Sequence, residues 1–322
     1  ASLDFTPRYT IHVATMQEEY DAIVNALRAE GFEASCINLQ DDISTLHRLV
    51  TKDPPDVIFN LVELFHNDLQ REGAIAGLYE LFRVRYTGAS PFCLALCRRK
   101  GLTKNILLQH GLATPSFLML EQPVIRRNHG LRYPLIIKPS WQDGSAGVEA
   151  CSVVHDYPHL KKQLESVFQR FQMPILVEEF IEGKELHISV LGNDPSVALP
   201  VIEYDFSQLV DDHPPLITYD IKWNPLVQPY HRVHSICPAR IDMRTEKRVM
   251  EHALRAYAAT YCRDYARVDL RLGEDGVPYI LEVNPNPDLT EGVSFMESAE
   301  KAGISFSETL RRLVTFALER KP

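Results

Sequence analysis

Residues 264–288 contain two alternating patterns of apolar and polar side chains on either side of the pair Asp275-Gly276. A period of two is typical of β-strands, and an Asp-Gly pair between two such strands predicts a hairpin with a two-residue turn. Counting outward from that turn places Asp269 directly opposite Glu282. The other face of the hairpin is predicted to belong to the core and carries Val268, Leu270, Leu272, Tyr279, Leu281 and Val283.

Two carboxylates that face each other across a β-ladder repel, so Asp269 and Glu282 need a cation between them. Arg267 and Asn284 form the next pair on the same face, which brings an amide oxygen beside the carboxylates. Three hard oxygen ligands are typical of Mg²⁺ or Mn²⁺, which usually bind together with substrate phosphates. An alternative needs no metal, because Arg267 and Arg271 could neutralise the carboxylates of a solvated strand face.

The bulk composition excludes some classes of protein. The chain has 322 residues, which suggests two or three structural units, and a net charge of −9. That charge disfavours a wide basic surface for nucleic acid. No apolar run approaches the roughly 20 residues that span a bilayer, and the first ten residues lack the pattern of a signal peptide. We therefore expect a cytoplasmic protein that binds neither nucleic acid nor membranes.

The six cysteines show no CxxC spacing. Cys93 and Cys97 share one face of a predicted helix, but two ligands do not make a zinc site. We expect reduced, mostly buried thiols. They are Cys36, Cys93, Cys97, Cys151, Cys237 and Cys262.

Residues 1–90 alternate between strand and helix patterns. Apolar stretches at 9–15 and 56–63 predict buried strands, and amphipathic stretches at 18–29 and 73–82 predict helices. This βαβ rhythm favours a parallel sheet with helices on its faces. The sequence thus predicts an N-terminal α/β domain.

Beyond residue 90 the patterns favour an α+β arrangement in two further domains, 91–177 and 178–322. In the first domain, the patterns predict a helix over 92–111, followed by a small sheet with one helix. The second predicts a larger, mostly antiparallel sheet. The elements expected in the two domains are strands at 135–139, 148–154 and 175–181, helices at 158–171, 243–262 and 296–319, and active-site loops at 207–237.

A lysine at the end of a buried strand predicts an anion site. Lys138 closes the strand and is followed at once by a turn that contains Gly144 and Ser145. The backbone N–H groups of such a turn can bind phosphate oxygens while the lysine neutralises their charge. Without Lys138, the turn would be interpreted as a plain hairpin turn. Lys100 on the preceding helix could be an ordinary solvated lysine, because its helical position alone does not exclude that.

The segment 177–185 ends a predicted strand with Glu178 and Glu179. Its backbone could present one N–H and one C=O group to an adenine edge, and Glu185 could bind ribose hydroxyls. Strand ends also often carry solvated glutamates, so the segment alone does not decide between these interpretations.

Taken in order, these segments resemble the ATP-grasp superfamily and, within it, D-alanine–D-alanine ligase and its relatives. The similarity extends from about Asp56 to Gly303. It implies an ATP-grasp fold with a pre-ATP-grasp domain at 1–90, a lid subdomain at 91–177 and a catalytic subdomain at 178–322. The similar blocks are residues 71–88, the helix of Lys100, and residues 111–115, 135–148, 177–193, 198–206, 218–223, 266–271 and 281–289.

The resemblance implies an enzyme that joins a small carboxylic acid to an amine through an acyl phosphate, with ATP and Mg²⁺ (or Mn²⁺) as cofactors. It implies metal ligation by Asp269, Glu282 and Asn284, and a homodimer. For ATP, it implies phosphate binding by Lys100, Lys138 and the Gly144–Ser145 turn, an adenine pocket at Glu178 and Ile181, and ribose binding by Glu185. For the reaction, it implies that Lys222 contacts the γ-phosphate or the substrate. It also implies that Arg267 stabilises the intermediate.

The half of the pattern that binds amino acids departs from the family. The glycine-rich turn with its glutamate is missing after the first strand, where Glu18 or Glu19 is at best a loose substitute. Asp288 occupies a position that is usually glycine, and Ser294 and His66 are approximate counterparts of substrate-binding residues. We therefore expect a ligase of unspecified acid and amine. The alternatives are a true D-alanine–D-alanine ligase of cell-wall synthesis and a non-catalytic ATP-binding regulatory protein.

Overall fold

The computed structural model describes residues 16–209 and 213–320, except for the side chain of Gln228. The strand predicted at 9–15 lies outside these residues. None of the described helices is long and apolar enough to cross a membrane. The described helices are Met16–Ala29 (α1), Ile43–Lys52 (α2), Glu72–Leu81 (α3), Pro91–Arg98 (α4), Lys100–Gln109 (α5), Tyr157–Phe171 (α6), Tyr219–Trp223 (α7), Met243–Ala259 (α8), Ser294–Lys301 (α9) and Phe306–Glu319 (α10).

The strands form two antiparallel sheets. The small sheet has the strand order β1-β4-β2-β3, and the large sheet has the order β10-β9-β5-β7-β8, with β6 paired to β5. This confirms the predicted small sheet and the larger antiparallel sheet. The strands are Phe117–Leu120 (β1), Leu135–Pro139 (β2), Val153–Val154 (β3), Ile175–Glu179 (β4), Gly183–Leu191 (β5), Val197–Ala198 (β6), Ile202–Asp205 (β7), His234–Ile236 (β8), Tyr265–Gly273 (β9) and Pro278–Pro285 (β10).

Apolar side chains on one face of each sheet pack against helices. The large sheet contributes Ile188 and Val268, both without exposed area, to a core shared with α8 and α4. The small sheet packs Ile137 and Val177 against α6 in a separate core. Burial of each such side chain contributes about 1.5–3 kcal/mol. Residues of both sheets also line one cavity.

Two predicted strands are shorter than expected. Of the segment 56–63, Ile58 makes one parallel bridge to Tyr86, with an Ile58 N to Arg85 O distance of 2.8 Å. Residues 148–154 begin with a 3₁₀ turn rather than a strand, because the hydroxyl of Ser152 accepts a hydrogen bond from the Glu149 N–H and caps that turn. Only β3 remains extended there.

Two predicted helices are each divided in two. The helix expected over 92–111 breaks at Arg99, whose backbone has φ −95° and ψ 80°. The break separates α4 from α5 and turns Lys100, the first residue of α5, toward the cavity. The helix expected over 296–319 is interrupted at Gly303, where φ is +80°. A positive φ of this kind favours glycine and ends a helix.

Candidate active site

A cavity of about 560 Å³ is lined by residues of both sheets and of the segment 207–237. This volume is typical of a small-molecule site. Every predicted site residue except Asn284 lines it, and Asn284 is hydrogen bonded to Asp269 in its wall. The predicted residues on the walls are Lys100, Lys138, Gly144, Ser145, Glu178, Ile181, Glu185, Lys222, Arg267, Asp269 and Glu282.

The hairpin of β9 and β10 confirms that Asp269 lies opposite Glu282. The predicted two-residue turn, however, is wrong. The Gly273 N–H donates to the Val277 carbonyl at 2.9 Å, so the loop consists of the three residues 274–276. Three-residue loops with glycine at the left-handed position are a common hairpin connection, and the glycine of this loop has φ +74°.

A β-bulge compensates for the extra loop residue. It lies between Ile280 and Glu282 and restores the register beyond it. The residue in the bulge, Leu281, lines the cavity, whereas Ile280 is fully buried in the core. The prediction that Leu281 belongs to the core is therefore wrong, as is that for Tyr279, which is half-buried and donates to Asp275. One additional residue reverses the face on which neighbouring side chains lie.

Of the paired carboxylates, Asp269 is buried and Glu282 is partly exposed to the cavity. Asp269 accepts two hydrogen bonds from Arg267, at 2.7 Å to Nε and 2.8 Å to Nη2. Glu282 lies 3.2 Å from Nζ of Lys100. Burial would raise the pKa of both carboxyl groups, but Arg267 holds the pKa of Asp269 below its usual range and Lys100 does the same for Glu282. Each carboxylate therefore already has a cationic partner.

The alternative of a solvated strand face neutralised by arginines is only half right. Arg267 does pair with Asp269, but Asp269 is only 5% exposed. Arg271 does not take part. Its Nη2 donates to the carbonyls of Pro215 (2.6 Å) and Gly183 (3.2 Å), and its guanidinium stacks on Phe180 with 4.5 Å to the ring centroid. The carboxylate pair is thus part of the cavity wall, with Asp269 buried in it.

The donor set of this wall fits a hard divalent cation. Asp269 and Glu282 offer carboxylate oxygens, and the Asn284 amide lies within 2.8 Å of Asp269 and 3.5 Å of Glu282. Its NH₂ group faces the carboxylates, and rotation of the amide by half a turn would present the oxygen instead. Carboxylate and amide oxygens are the ligands that Mg²⁺ prefers.

A second charged cluster lies in the small sheet. The Glu178 carboxylate lies between two ammonium groups, 2.6 Å from Lys138 and 2.8 Å from Lys104. Burial alone would raise the pKa of Glu178, but the two lysines lower it to about 2. Lys138 lines the cavity, whereas Lys104 is 1% exposed and lies behind the wall. Glu178 does line the cavity as predicted, but each of its carboxylate oxygens is paired with a lysine.

The glycine turn after β2 is not a simple hairpin turn. Gly144 and Ser145 both have positive φ, +60° and +62°. Nζ of Lys100 donates to the Gln142 carbonyl at 2.7 Å, which connects the turn to the carboxylate wall. Positive-φ backbone next to lysines is typical of anion-binding concavities.

The segment 207–237 contacts this turn. The Ser145 hydroxyl donates to the Ile217 carbonyl at 3.1 Å, and the Trp223 indole donates to the Gly144 carbonyl at 2.8 Å. Lys222 lines the cavity, and its pKa is lowered by burial and then by the nearby charge of Arg267. The segment therefore forms the part of the cavity wall that contacts the glycine turn.

Ile181 and Glu185 also line the cavity. Burial raises the pKa of Glu185, and the charge of Arg271, its neighbour on β9, opposes the shift. A buried carboxylate of this kind is suited to accept hydrogen bonds from hydroxyl groups.

Two further residues that were not predicted complete the wall. His187 on β5 lies opposite Asp269, with 3.7 Å from Nε2 to Oδ2, and its ring is edge-on to Tyr204. Burial lowers the pKa of His187 to about 3, so the imidazole is neutral. The signal was available, because His187 alternates with Glu185 along one strand and must share its face.

The residues at the expected amino-acid-binding positions are only partly brought to the cavity. Asp288 and Ser294 line the cavity, and the Ser294 hydroxyl accepts a hydrogen bond from Arg267 at 3.4 Å. His66 is exposed, lies 4.0 Å from Asp41 and is not among the residues that line the cavity. The suggested role of His66 near the first substrate therefore finds no support in its position.

Residues 106–315 match the family described as "D-ala D-ala ligase C-terminus". An uncharacterised protein of Sinorhizobium fredii, y4sG, is 31% identical over 93% of this chain and 87% of its own length. The D-alanine–D-alanine ligase of Pelotomaculum thermopropionicum is 30% identical over 93% of this chain and 91% of its own length.

Solved structures of such ligases have the same fold. The Bacillus anthracis D-alanine–D-alanine ligase complexed with ATP superposes with a TM-score of 0.74, 24% identity and coverage of 92% of this chain and 90% of its own. The VanG D-Ala:D-Ser ligase of Enterococcus faecalis gives 0.65 with 27% identity, covering 81% and 73%. With its family match, its relatives and this architecture, the chain belongs to the D-alanine–D-alanine ligase family of the ATP-grasp superfamily.

Proposed function

We propose that this protein is an ATP- and Mg²⁺-dependent carboxylate–amine ligase that joins two amino-acid-like substrates through an acyl phosphate. The observation that carries the proposal is the arrangement of the carboxylate wall. Asp269, Glu282 and Asn284 converge beside Arg267, and Lys100 and Lys138 line the same cavity. Phosphoryl transfer depends on positioning and charge neutralisation, which this arrangement supplies.

In the first step, a carboxylate oxygen of the acid attacks the γ-phosphorus of ATP, and the bond to the ADP oxygen breaks. Bound Mg²⁺, held by Asp269, Glu282 and Asn284, would neutralise phosphate charge. Lys138 and the N–H groups of the glycine turn around Gly144 would bind the remaining phosphate oxygens. With Mg²⁺ on the carboxylates, Lys100 and Arg267 would be available to pair with phosphate oxygens.

In the second step, the amine nitrogen attacks the acyl carbon, loses a proton and expels phosphate, which leaves the amide. Negative charge develops on the acyl oxygen, and Arg267 in the same wall would supply the cation that stabilises it. Lys222 lies in the cavity wall formed by the segment 207–237, which excludes the water that would hydrolyse the acyl phosphate.

The decisive experiment is a phosphate-release screen of D- and L-amino acids, singly and in pairs, with the product amide identified by mass spectrometry. We expect ATP turnover that depends on one acid and one amine. Asp269→Asn is the matched control for background ATPase activity. Tight ATP binding without turnover for any pair would favour the regulatory alternative and contradict the proposal.

A second candidate, D-alanyl-D-alanine synthesis itself, is favoured by the names of several relatives. A turnover assay with D-alanine as the sole amino acid distinguishes this candidate from the general proposal. Asp288, at a position that is usually glycine, adds a negative charge near the acceptor end and disfavours this candidate. If D-alanine alone supports full turnover, the narrower function is correct.

The same family membership supports three further proposals. We propose a homodimer, to be tested by light scattering after gel filtration, and a cytoplasmic location, where ATP is available. We also propose that residues 1–90, 91–177 and 178–322 move as three bodies, with 91–177 acting as the lid. Small-angle scattering with and without a non-hydrolysable ATP analogue would test this closure.

A further inference from the structure

Three cysteines that are distant in sequence form a cluster outside the active-site cavity. Cys93 and Cys97 lie one turn apart on α4, and Cys262 follows the C-terminal end of α8. Their three sulfur atoms all lie within 4.8 Å of one another, and the Cys93 and Cys262 sulfurs are 3.6 Å apart. Cys93 has no exposed area and Cys97 is only 7% exposed.

This spacing is that of a metal-thiolate site. A Zn–S bond of roughly 2.3 Å with tetrahedral angles separates neighbouring sulfurs by roughly 3.8 Å. The distance between Cys93 and Cys262 is close to that edge, and the 4.8 Å bound on the others requires only small side-chain rotations. Among the described residues, this is the one group of three His, Cys, Asp or Glu side chains whose ligand atoms converge in this way.

We propose that Cys93, Cys97 and Cys262 bind a thiophilic d¹⁰ cation such as Zn²⁺ or Cd²⁺ through three thiolates. Each thiol that becomes a ligand releases its proton to the buffer, with no change of oxidation state. The Thr260 hydroxyl oxygen lies 3.3 Å from the Cys262 sulfur and is the polar neighbour available to it. Soft thiolate ligands select soft cations over Mg²⁺, so the site is chemically independent of the carboxylate wall.

The cluster can be reached from the surface. Cys262 is partly exposed, and its neighbour Tyr261 is 64% exposed. Phe92, next to Cys93, is 60% exposed and lies edge-on to the Tyr261 ring at 5.4 Å between centroids. Cys262 and the exposed rings beside it therefore mark the side of the cluster nearest to solvent, where a metal site requires its entry path.

Metal binding would connect α4 with the end of α8. The end of α4 carries Arg98, which donates to Glu72 at 2.8 Å, and the chain then continues into α5 and Lys100. A cation at the cluster would thus fix α4 against the end of α8, and α4 leads into the helix that begins at Lys100. We expect the melting temperature to rise when the cation binds, because it binds only the folded arrangement.

The test uses the full chain with Cys36→Ser and Cys151→Ser, which remove the two exposed thiols that could bind metal non-specifically. Cd²⁺ is added to the reduced, metal-free protein while the ultraviolet thiolate-to-cadmium charge-transfer band and the melting temperature are recorded. We expect a band that saturates at one Cd²⁺ per chain. Cys262→Ser in this background should weaken binding by more than about 100-fold, since even outer-shell changes cost 10–100-fold.

Cys97→Ala is a second variant that keeps a small apolar side chain in the core, and circular dichroism checks that both variants fold. A Cd²⁺ affinity in Cys262→Ser and Cys97→Ala equal to that of the parent would overturn the proposal. So would a reduced parent protein that gives no band. Because the readout does not involve ligase turnover, the outcome is separable from that of the proposed function.

Discussion

The two buried charge clusters around the cavity are built differently. In the small sheet, Glu178 is shared by Lys104 and Lys138, so one carboxylate has two cations. In the large sheet, Asp269 and Glu282 face each other, and each is paired with a single cation at the cavity wall. The first cluster carries net positive charge and the second is balanced only while its cations stay in place.

This difference indicates that the two clusters have different roles. A carboxylate with two short ion pairs, such as Glu178, has no capacity left for a metal, and it fixes Lys138 in one position. The pairs of the large sheet are exchangeable, because a divalent cation could replace Arg267 and Lys100 on the carboxylates. Buried pairs that lose one partner are strongly destabilised. Exchange is therefore favourable only when metal and phosphate bind together.

The largest effect is expected from Asp269→Asn. Loss of one carboxylate from the proposed metal site removes several kcal/mol of charge stabilisation, so turnover should fall on the order of 10³-fold. Initial rates as a function of Mg²⁺ and Mn²⁺ concentration measure this, with circular dichroism as the check on folding. Unchanged turnover and unchanged Mg²⁺ dependence would show that the carboxylate pair is only structural.

A comparison of Lys138→Met with Lys104→Met separates the two ends of the small-sheet cluster. Lys138 lines the cavity, so its loss should weaken ATP binding by about 10–100-fold, as expected for a charged hydrogen bond of about 1.5–3 kcal/mol. Lys104 does not line it, and its loss should lower the free energy of unfolding by about 1–3 kcal/mol with little change in ATP affinity. Equal effects on ATP affinity, measured by calorimetry, would contradict this assignment.

The pH dependence of stability provides a third test. The pKa of Glu178 is about 2 in the folded protein, below its ordinary value of 4.5. A lowered pKa means that the unfolded chain takes up the proton first. The stabilisation is therefore complete above about pH 4.5 and is lost as the pH falls toward 2. Urea unfolding between pH 3 and 6 should show this slope, and Glu178→Gln should reduce it. An identical slope in the variant would exclude Glu178 as the source.

Much of this arrangement could be predicted from the sequence, because a period of two fixes which side chains share a face. The pairing of Asp269 with Glu282 follows from that rule and from the position of the turn. It survives in the structure because two departures cancel: the loop has one additional residue, and a bulge at Leu281 adds one to the opposite strand. Bulges arise from local backbone geometry that no side-chain period records.

What could not be predicted depends on tertiary contacts. The break at Arg99 redirects Lys100, and the position of Lys104 behind Glu178 depends on how α5 packs on the small sheet. In the fold, Cys262 lies beside two cysteines that precede it by more than 160 residues. The separation between Cys93 and Cys262 is 169 residues. Separations of this size leave no local pattern, so only the folded chain reveals the cluster.

The smallest effect is expected from Ser145→Ala, which tests how the glycine turn and the segment 207–237 hold the cavity closed. The Ser145 hydroxyl donates to the Ile217 carbonyl at 3.1 Å, a contact of about 1 kcal/mol. Its loss should admit water to the acyl phosphate and raise the ratio of phosphate released to amide formed by roughly 3–10-fold. Trp223→Phe removes the other contact of the turn, the hydrogen bond to Gly144, and should act in the same direction. If the ratio stays constant in both variants while turnover falls, Ser145 contacts the phosphates directly and water exclusion depends on other parts of the lid.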